Sequence, residues 1–447
     1  MKKEDIIYVT AQPDVPYFHW QIELYVHNFI SLGIDPDKIH VILSLQGLNP
    51  SKGSERLKDL GCQIHFYKDD RNNKSYIPSI KPYLVSKWLE EFPEFGKLFF
   101  LHDADIIFRE IPAFDSLLND DISYLSDTIG YIGYNYIKDC CDRYEKKHPT
   151  SNKLQLLQEM CDVVGVDIEI VKANQNGSGG GQYLIKNTDF KVWDKIYLDC
   201  CPLYDCMLDY QKRFPINPGE IQFWTAEMWS TLWNLWKFGI ETKVVKELDF
   251  SWATDGVGRY YLKPILHMAG VTEYTKSDKF YKGDFININP IDKLKNNPKY
   301  FDYISSNSST IKYIEVMKSF INRNIDTKLI KSNKIYVDYS SGKGRGVFCS
   351  ELIKSGEIIE ECHVIPVPSS HFYPPIIDEH LFTWSEDSKD KEYAICLGFG
   401  SIFNSSSTGF NASWKNDIFN EKMVFTALRD INVGEEILTN YNNKFFK

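Results

Sequence analysis

The sequence predicts two folds in one chain: an α/β sheet over roughly the first hundred residues and a mostly-β domain after Lys334. Three observations carry this. Between residues 6 and 108, runs with strand period alternate with runs of helical period. The pair Asp103 and Asp105 interrupts an apolar run that resumes at Ile106-Ile107-Phe108. From Lys334 onward the pattern changes to short strands between Gly-dense turns.

Element by element, the first strand is expected at Ile6–Thr10 and the first helix at Tyr17–Leu32. A strand at Ile39–Leu45, a helix at Ser54–Leu60 and a strand at Gln63–Tyr67 follow. A helix at Ser79–Glu91 leads to the apolar strand Lys97–His102. This alternation reads as a doubly wound parallel sheet. In such sheets ligands sit beyond the carboxyl ends of the strands, which is where Asp103-Ala104-Asp105 falls.

Residues 109–290 are less regular. They hold a Cys- and Lys-rich helical insert near 135–165, a Gly-rich stretch at 177–181 and an aromatic helix near 220–238. The Ser-rich run near 304–310 is the linker expected from composition, with a short helix near 311–324 bridging onward. The expected division is therefore 1–305, a linker and helix at 306–332, and a C-terminal domain at 333–447.

A chain of 447 residues is too long for one ordinary core, and 43% hydrophobic with 25% charged residues is globular composition. A net charge of −10 argues against nucleic acid as a partner, because phosphate binding needs clustered Lys and Arg. No run approaches the roughly 18 apolar residues of a membrane span, so none is expected. The start leads straight into a strand without an apolar signal region, and ten scattered cysteines without CxxC spacing suit a reducing compartment. The expected location is the cytoplasm, or a host cytoplasm if the source is viral; the Lys- and Asn-rich composition suits a virus or an AT-rich microbe.

Two aspartates one residue apart after a buried strand suit a divalent cation, because hard cations take carboxylate oxygens and substrate phosphates complete the shell. The apolar residues on both sides sharpen this, since charge in a buried segment needs a partner or a metal. His267, after the strand-like Ile265-Leu266, offers a third ligand from far along the chain. Gly177-Ser178-Gly179-Gly180-Gly181 runs into a strand, reading either as backbone that approaches a ligand or as a flexible loop. Trp224, Trp229, Trp233 and Trp236 stand at spacings of five, four and three residues and are read as core.

Together these features resemble a Rossmann-like GT-A-type glycosyltransferase over residues 1–290. Trp224-Thr225-Ala226-Glu227-Met228 is also similar to an element of peptidyl serine and hydroxyproline glycosyltransferases. The resemblance implies a nucleotide-sugar donor, most simply a UDP-sugar, and Mn2+ or Mg2+. It implies Asp103, Asp105 and His267 at the metal, with Asp103 and Lys81 near the donor. A protein or glycan would be the acceptor. Glu227 would touch acceptor or donor sugar, and Glu227 and Asp255 are the candidates for a catalytic base. An inverting enzyme needs that base and a retaining one does not.

In the last quarter, Gly344-Arg345-Gly346-Val347-Phe348, Gly356-Glu357-Ile358-Ile359-Glu360, Gly398-Phe399-Gly400-Ser401, Phe403-Asn404, Phe410-Asn411 and Gly434-Glu435-Glu436-Ile437 with Asn440-Tyr441 occur in a fixed order. Alone each is an ordinary hairpin. In this order they resemble a SET domain, the protein-lysine methyltransferase fold. The resemblance implies S-adenosylmethionine as cofactor, lined by Lys343, Gly344 and Arg345 and held by Asn404, and a protein lysine as substrate. Tyr441 would be the catalytic tyrosine, with Phe399 or Tyr393 lining the lysine channel. One departure stands out: the family carries Asn-His-Ser where this chain has Asn404-Ser405-Ser406, which removes a ring from the adenine pocket. Cys-rich zinc modules are absent too, with only Cys349, Cys362 and Cys396 in this segment.

The expectation is a bifunctional enzyme. The competing readings are an active glycosyltransferase carrying a degenerate, peptide-binding SET module, and an inactive carbohydrate-binding scaffold joined to a methyltransferase.

Overall fold

The computed structural model describes residues 2–322, 329, 330, 332–368, 373, 374, 377, 380–385, 392–417 and 420–440. The chain divides into two compact units: Met1–Pro290 with Phe301–Phe320, and Ile291–Tyr300 with Ile321–Lys447. Among the described residues no helix is long and apolar enough to cross a membrane.

The first unit is built on strands β1 (Ile7–Pro13), β2 (Ile39–Leu45), β3 (Gln63–Lys68) and β4 (Leu98–Leu101). These stand in the order β3-β2-β1-β4 and are all parallel. Helices α1 (Pro16–Ser31), α2 (Lys52–Leu57) and α3 (Ile80–Glu91) connect them. Pro16 opens α1 at a position where its missing N–H costs nothing. Ser51 caps α2 by accepting from the Ser54 N–H.

Strand alternation sorts the two faces of the sheet. Ile7, Val9, Phe99 and Leu101 join the core under α3, where Trp88 and Trp193 are fully buried. Tyr8 and Phe100 point the other way, into a ring cluster with Phe29, Phe108 and Phe114. Fully burying such a side chain contributes about 1.5–3 kcal/mol, so both faces are committed and the register is fixed.

Beyond β4 the sheet departs from the all-parallel expectation. Following β5 (Ile106–Phe108), β6 (Ser123–Asp127), β7 (Gly179–Lys186) and β8 (Thr242–Val244) complete the order β3-β2-β1-β4-β7-β6-β8. Strand β7 is antiparallel to both β4 and β6, while β8 is parallel to β6. The sheet is therefore mixed. The chain reaches β7 through the helices Tyr134–Lys147 and Gln155–Val164, which return it to the sheet with reversed direction.

A second small sheet decides where the site lies. Strands β9 (Phe250–Trp252) and β10 (Ile265–His267) join β5 in the order β5-β10-β9, with His267 opposite Ile106. The helix Thr310–Asn322 sends Tyr313 onto the rings of Trp20 and Phe280.

The second unit is mostly β. Strands β11 (Ile335–Ser340) and β12 (Gly344–Cys349) form a hairpin. Strands β13 (Ile358–Pro368), β14 (Leu381–Ser385), β15 (Glu392–Cys396), β16 (Asn404–Ser405), β17 (Ala412–Asp417), β18 (Lys422–Ala427) and β19 (Leu438–Thr439) follow. Five of them make the sheet β14-β15-β13-β18-β17, and β16 pairs in parallel with β19. Its core includes Val347, Cys349, Ile359, Phe403, Phe425 and Ile437.

Candidate functional sites

In the first unit, β4 ends at Leu101, the chain turns through Asp103-Ala104-Asp105, and β5 carries it into the second sheet. The antiparallel β5–β10 pairing places His267 beside that turn, and the Met268 N–H donates to the Asp105 carbonyl at 2.9 Å. Residues separated by about 160 positions thus meet through one strand register. His267 Nε2 lies 3.7 Å from Asp103 Oδ2 and 3.4 Å from Asp105 Oδ1. One ligand atom from each of Asp103, Asp105 and His267 lies within 4.8 Å of the others. Two carboxylates and an imidazole make a donor set that could hold a divalent cation.

The three residues line a cleft of about 750 Å³ with Lys81, Glu227 and Lys282. Lys81 Nζ lies 2.8 Å from Asp103 Oδ1 and 3.4 Å from Glu227 Oε2. Burial disfavours charge on Lys81, but Asp103 and Glu227 outweigh it and hold the ammonium well above the usual lysine range. Burial raises the Glu227 carboxyl above its ordinary value, and Lys81 opposes the shift without cancelling it. Glu227 also takes a bond from Thr231 Oγ1 at 3.3 Å. Asp105 runs the other way: burial opposes its charge, yet the Lys282 ammonium beside it keeps it ionised well below the carboxylate range.

Lys282, paired with Asp105, is a residue that sequence reasoning missed. It lies in a polar stretch with Lys276 and Lys279, and nothing local distinguishes it from them. Asp255 is a correction. Its carboxylate accepts the Trp252 N–H at 2.9 Å to close a turn, and it lines a neighbouring pocket with Asp127, Asp249 and Arg259 instead of the cleft. Trp224 is a second correction: Trp229, Trp233 and Trp236 are core, but Trp224 is 58% exposed and lines the cleft. The glycines also divide. A Cβ on Gly179 would stand 2.5 Å from the Ser126 carbonyl oxygen, and one on Gly180 would meet Met228 and Tyr183. Those two glycines serve close packing; Gly181, with φ +85°, is the one at the cleft wall.

In the second unit, the Gly-dense turn leads into β12 and the short β16–β19 pairing crosses beside it. Gly342 and Gly344 hold φ +77° and +79°, with open space where side chains would stand. Asn404 Nδ2 donates to the Arg345 carbonyl at 3.1 Å and to Glu436 Oε1 at 2.8 Å. Ser340 Oγ donates to Glu436 Oε2 at 3.0 Å, and Lys343 Nζ to the Ser405 carbonyl at 3.0 Å. Lys343, Gly344, Arg345 and Asn404 are therefore gathered around one turn, with Glu436 as a hub to which the motif reading assigned no role. Asn411 is a second such residue: its amide bonds the Glu436 carbonyl at 2.8 Å, and its Oδ1 accepts the Leu438 N–H at 2.8 Å. Phe399 anchors its N–H on the buried Glu360 carboxylate at 3.1 Å. Tyr441 lies outside the described residues.

The exposed turn leaves its backbone open at Gly342 and Gly344, which suits a ligand such as an adenosyl cofactor held by backbone groups, with Lys343 reaching across to the Ser405 carbonyl. A SET-domain family model matches residues 344–442. The chain is 31% identical over 105 residues to a Schizosaccharomyces pombe histone-lysine N-methyltransferase, H3 lysine-37 specific, covering 23% of this chain and 68% of that protein. Among solved structures, it is similar to a Plasmodium falciparum histone methyltransferase candidate at 32% identity, covering 25% of this chain and 96% of that one, with a TM-score of 0.21. A Chaetomium thermophilum Polycomb Repressive Complex 2 in a humanised mutant form matches at 24% identity over 26% of this chain and 16% of that one, with a TM-score of 0.22. Through its C-terminal unit, this chain belongs to the SET-domain family of protein-lysine methyltransferases.

Proposed function

We propose that the chain is bifunctional, pairing metal-dependent glycosyl transfer from a nucleotide sugar, most simply a UDP-sugar, with methylation of a protein lysine. Residues 1–305 would carry the first activity and 333–447 the second. The observation that supports glycosyl transfer is the Asp103–Asp105–His267 cluster beyond the carboxyl ends of parallel strands, in a cleft shared with Lys81 and Glu227. A divalent cation bound by these three residues would supply charge stabilisation for the departing nucleoside diphosphate.

The chain's own groups do the rest in this reading. Lys81 adds positive charge on the donor side of the cleft. Glu227 has a carboxyl lifted by burial and faces the same cavity, so it suits a base that accepts the acceptor hydroxyl proton. As that oxygen bonds the anomeric carbon, the bond to the diphosphate breaks and the proton rests on Glu227. The exposed Trp224 ring offers a flat apolar face at the rim to a protein or glycan acceptor.

For methyl transfer, S-adenosylmethionine would supply an electrophilic methyl group when bound. Gly344 and the Arg345 backbone would line it, Asn404 would brace that turn, and Tyr441 would orient the lysine amine. A histone is the first protein substrate to test, given that the Schizosaccharomyces pombe relative is a histone-lysine N-methyltransferase.

The test is calorimetry on the full-length protein, titrating UDP with Mn2+ and, separately, S-adenosylmethionine. Binding of both supports two enzymes. Failure of UDP with Mn2+ to bind sinks the glycosyltransfer reading. A second reading, a SET module that only binds peptide, is favoured by Ser405 where the family carries His. It predicts no S-adenosylmethionine binding by the wild type and gain of binding by Ser405→His.

A further inference from the structure

Behind His267 lies a buried polar chain whose direction can be worked out by counting hydrogens. Gln182 Nε2 stands 3.2 Å from His267 Nδ1. Ser126 Oγ stands 2.8 Å from Gln182 Oε1 and 2.7 Å from the Leu248 carbonyl oxygen. Ser126, Gln182 and His267 are all buried, so each polar group needs a partner inside the protein.

A carbonyl only accepts, and a serine hydroxyl has one proton to give. With Gln182 Oε1 facing Ser126, two acceptors compete for that proton and one goes without. Turning the amide over exchanges its nitrogen and oxygen, which have the same shape. Then Gln182 Nε2 donates to Ser126 Oγ, Ser126 donates to the Leu248 carbonyl, and Gln182 Oε1 accepts a proton from His267 Nδ1. Each group now meets one of opposite polarity. The fixed polarity of one backbone carbonyl is thereby passed along two side chains to the imidazole.

The consequence appears on the other side of the ring. With its proton on Nδ1, neutral His267 carries a lone pair on Nε2, the atom that faces Asp103 and Asp105. A lone pair turned toward two carboxylates repels them, and a cation seated between them converts that repulsion into attraction. We propose that Gln182 and Ser126 are positioning residues that lock His267 in the Nδ1–H form and so present Nε2 to a divalent cation. This rests on the metal-dependent reading of the cleft.

The experiment is Mn2+ titration of the full-length protein by calorimetry in the presence of UDP. Gln182→Leu is expected to weaken Mn2+ binding about 10–100-fold, the usual effect of removing an outer partner of a metal-bound histidine. Gln182→Glu, which still accepts from Nδ1, is expected to restore it. Ser126→Ala is expected to weaken it less, since the amide remains but loses its direction. Nitrogen-15 NMR of the metal-free wild type, at a pH where the imidazole is neutral, should show the His267 proton on Nδ1. A proton on Nε2, or equal Mn2+ affinity in wild type and Gln182→Leu, overturns the proposal. Absence of Mn2+ binding by the wild type overturns the metal reading itself and the proposal with it. If Gln182→Leu does not fold, the wild-type NMR signature and Ser126→Ala decide the matter.

Discussion

The two units bring their functional groups together in opposite ways. In the N-terminal cleft, the groups are charged side chains drawn from distant segments, and they neutralise one another: Lys81 with Asp103 and Glu227, Lys282 with Asp105. In the SET unit, the turn is held by neutral donors and backbone around a single half-buried carboxylate, with Asn404 bonded to Arg345 and Glu436 and Asn411 to the Glu436 carbonyl. A buried charge without its partner is far more costly than a lost neutral hydrogen bond. The first site is therefore expected to be functionally brittle to single substitutions, and the second to fail more gradually.

The sharpest test of that contrast is Asp105→Ala. It removes a carboxylate from the cluster and strands Lys282, so metal-dependent nucleotide-sugar hydrolysis is expected to fall more than about 100-fold, beyond the range for outer partners of a ligand. Retained hydrolysis in an assay with Mn2+ would sink the metal assignment, while S-adenosylmethionine binding should not change.

Next in size is Asn404→Ala in the SET unit. It deletes the bonds to the Arg345 carbonyl and to Glu436 Oε1, leaving Glu436 with the Ser340 hydroxyl. A loss of up to about 1.5–3 kcal/mol is expected, the range for a hydrogen bond to a charged group. S-adenosylmethionine affinity should drop by about tenfold or more, readable by calorimetry. Unchanged affinity would mean that the turn holds its shape without Asn404.

Gly179→Ala tests packing with no charge involved. Its Cβ would stand 2.5 Å from the Ser126 carbonyl oxygen, which is backbone and cannot swing aside. A loss of about 1–3 kcal/mol is expected, as for other overpacked interiors, and denaturant unfolding measures it.

The smallest effect is a pH dependence in the first unit. Burial, helped by His65, lowers the His40 pKa from the ordinary 6.5 to about 4. His40 is packed against Trp88 and Phe95 and bonded to His65 at 3.1 Å. The unfolded chain takes up the proton first, so stability is full above pH 6.5 and declines as pH falls from 6.5 toward 4. At pH 5.5 the loss from this group is about 1 kcal/mol, one pKa unit being 1.36 kcal/mol. His40→Phe should flatten that slope in unfolding curves; an unchanged slope would place the proton uptake elsewhere.

The alternation of periods located β1 to β4 within a few residues, because each strand is apolar and bounded by a helix with its own period. The same patterning was silent about β7 running antiparallel, since strand direction leaves no mark on a two-residue repeat. Asp103 and Asp105 were legible because charge in an apolar run is conspicuous. Lys282, Gln182 and Ser126 were not, because polar residues in polar or glycine-rich stretches carry no local signal. Asp255 misled for the converse reason: an acidic residue in a turn looks alike whether it caps a backbone N–H or faces a substrate.

By itself the sequence determined that the chain holds two cores, that the second is a SET domain with its motifs in order, and that an acidic pair ends the fourth strand. Those facts are written in local spacing, which the backbone's periods translate directly. Only the tertiary structure decided that His267 meets Asp103 and Asp105 while Asp255 does not, that Trp224 leaves the tryptophan core for the cleft, and that Leu248 stands behind Ser126 and Gln182. These depend on which strands pair and in what register, and pairing is set by long-range burial that no stretch of sequence encodes alone.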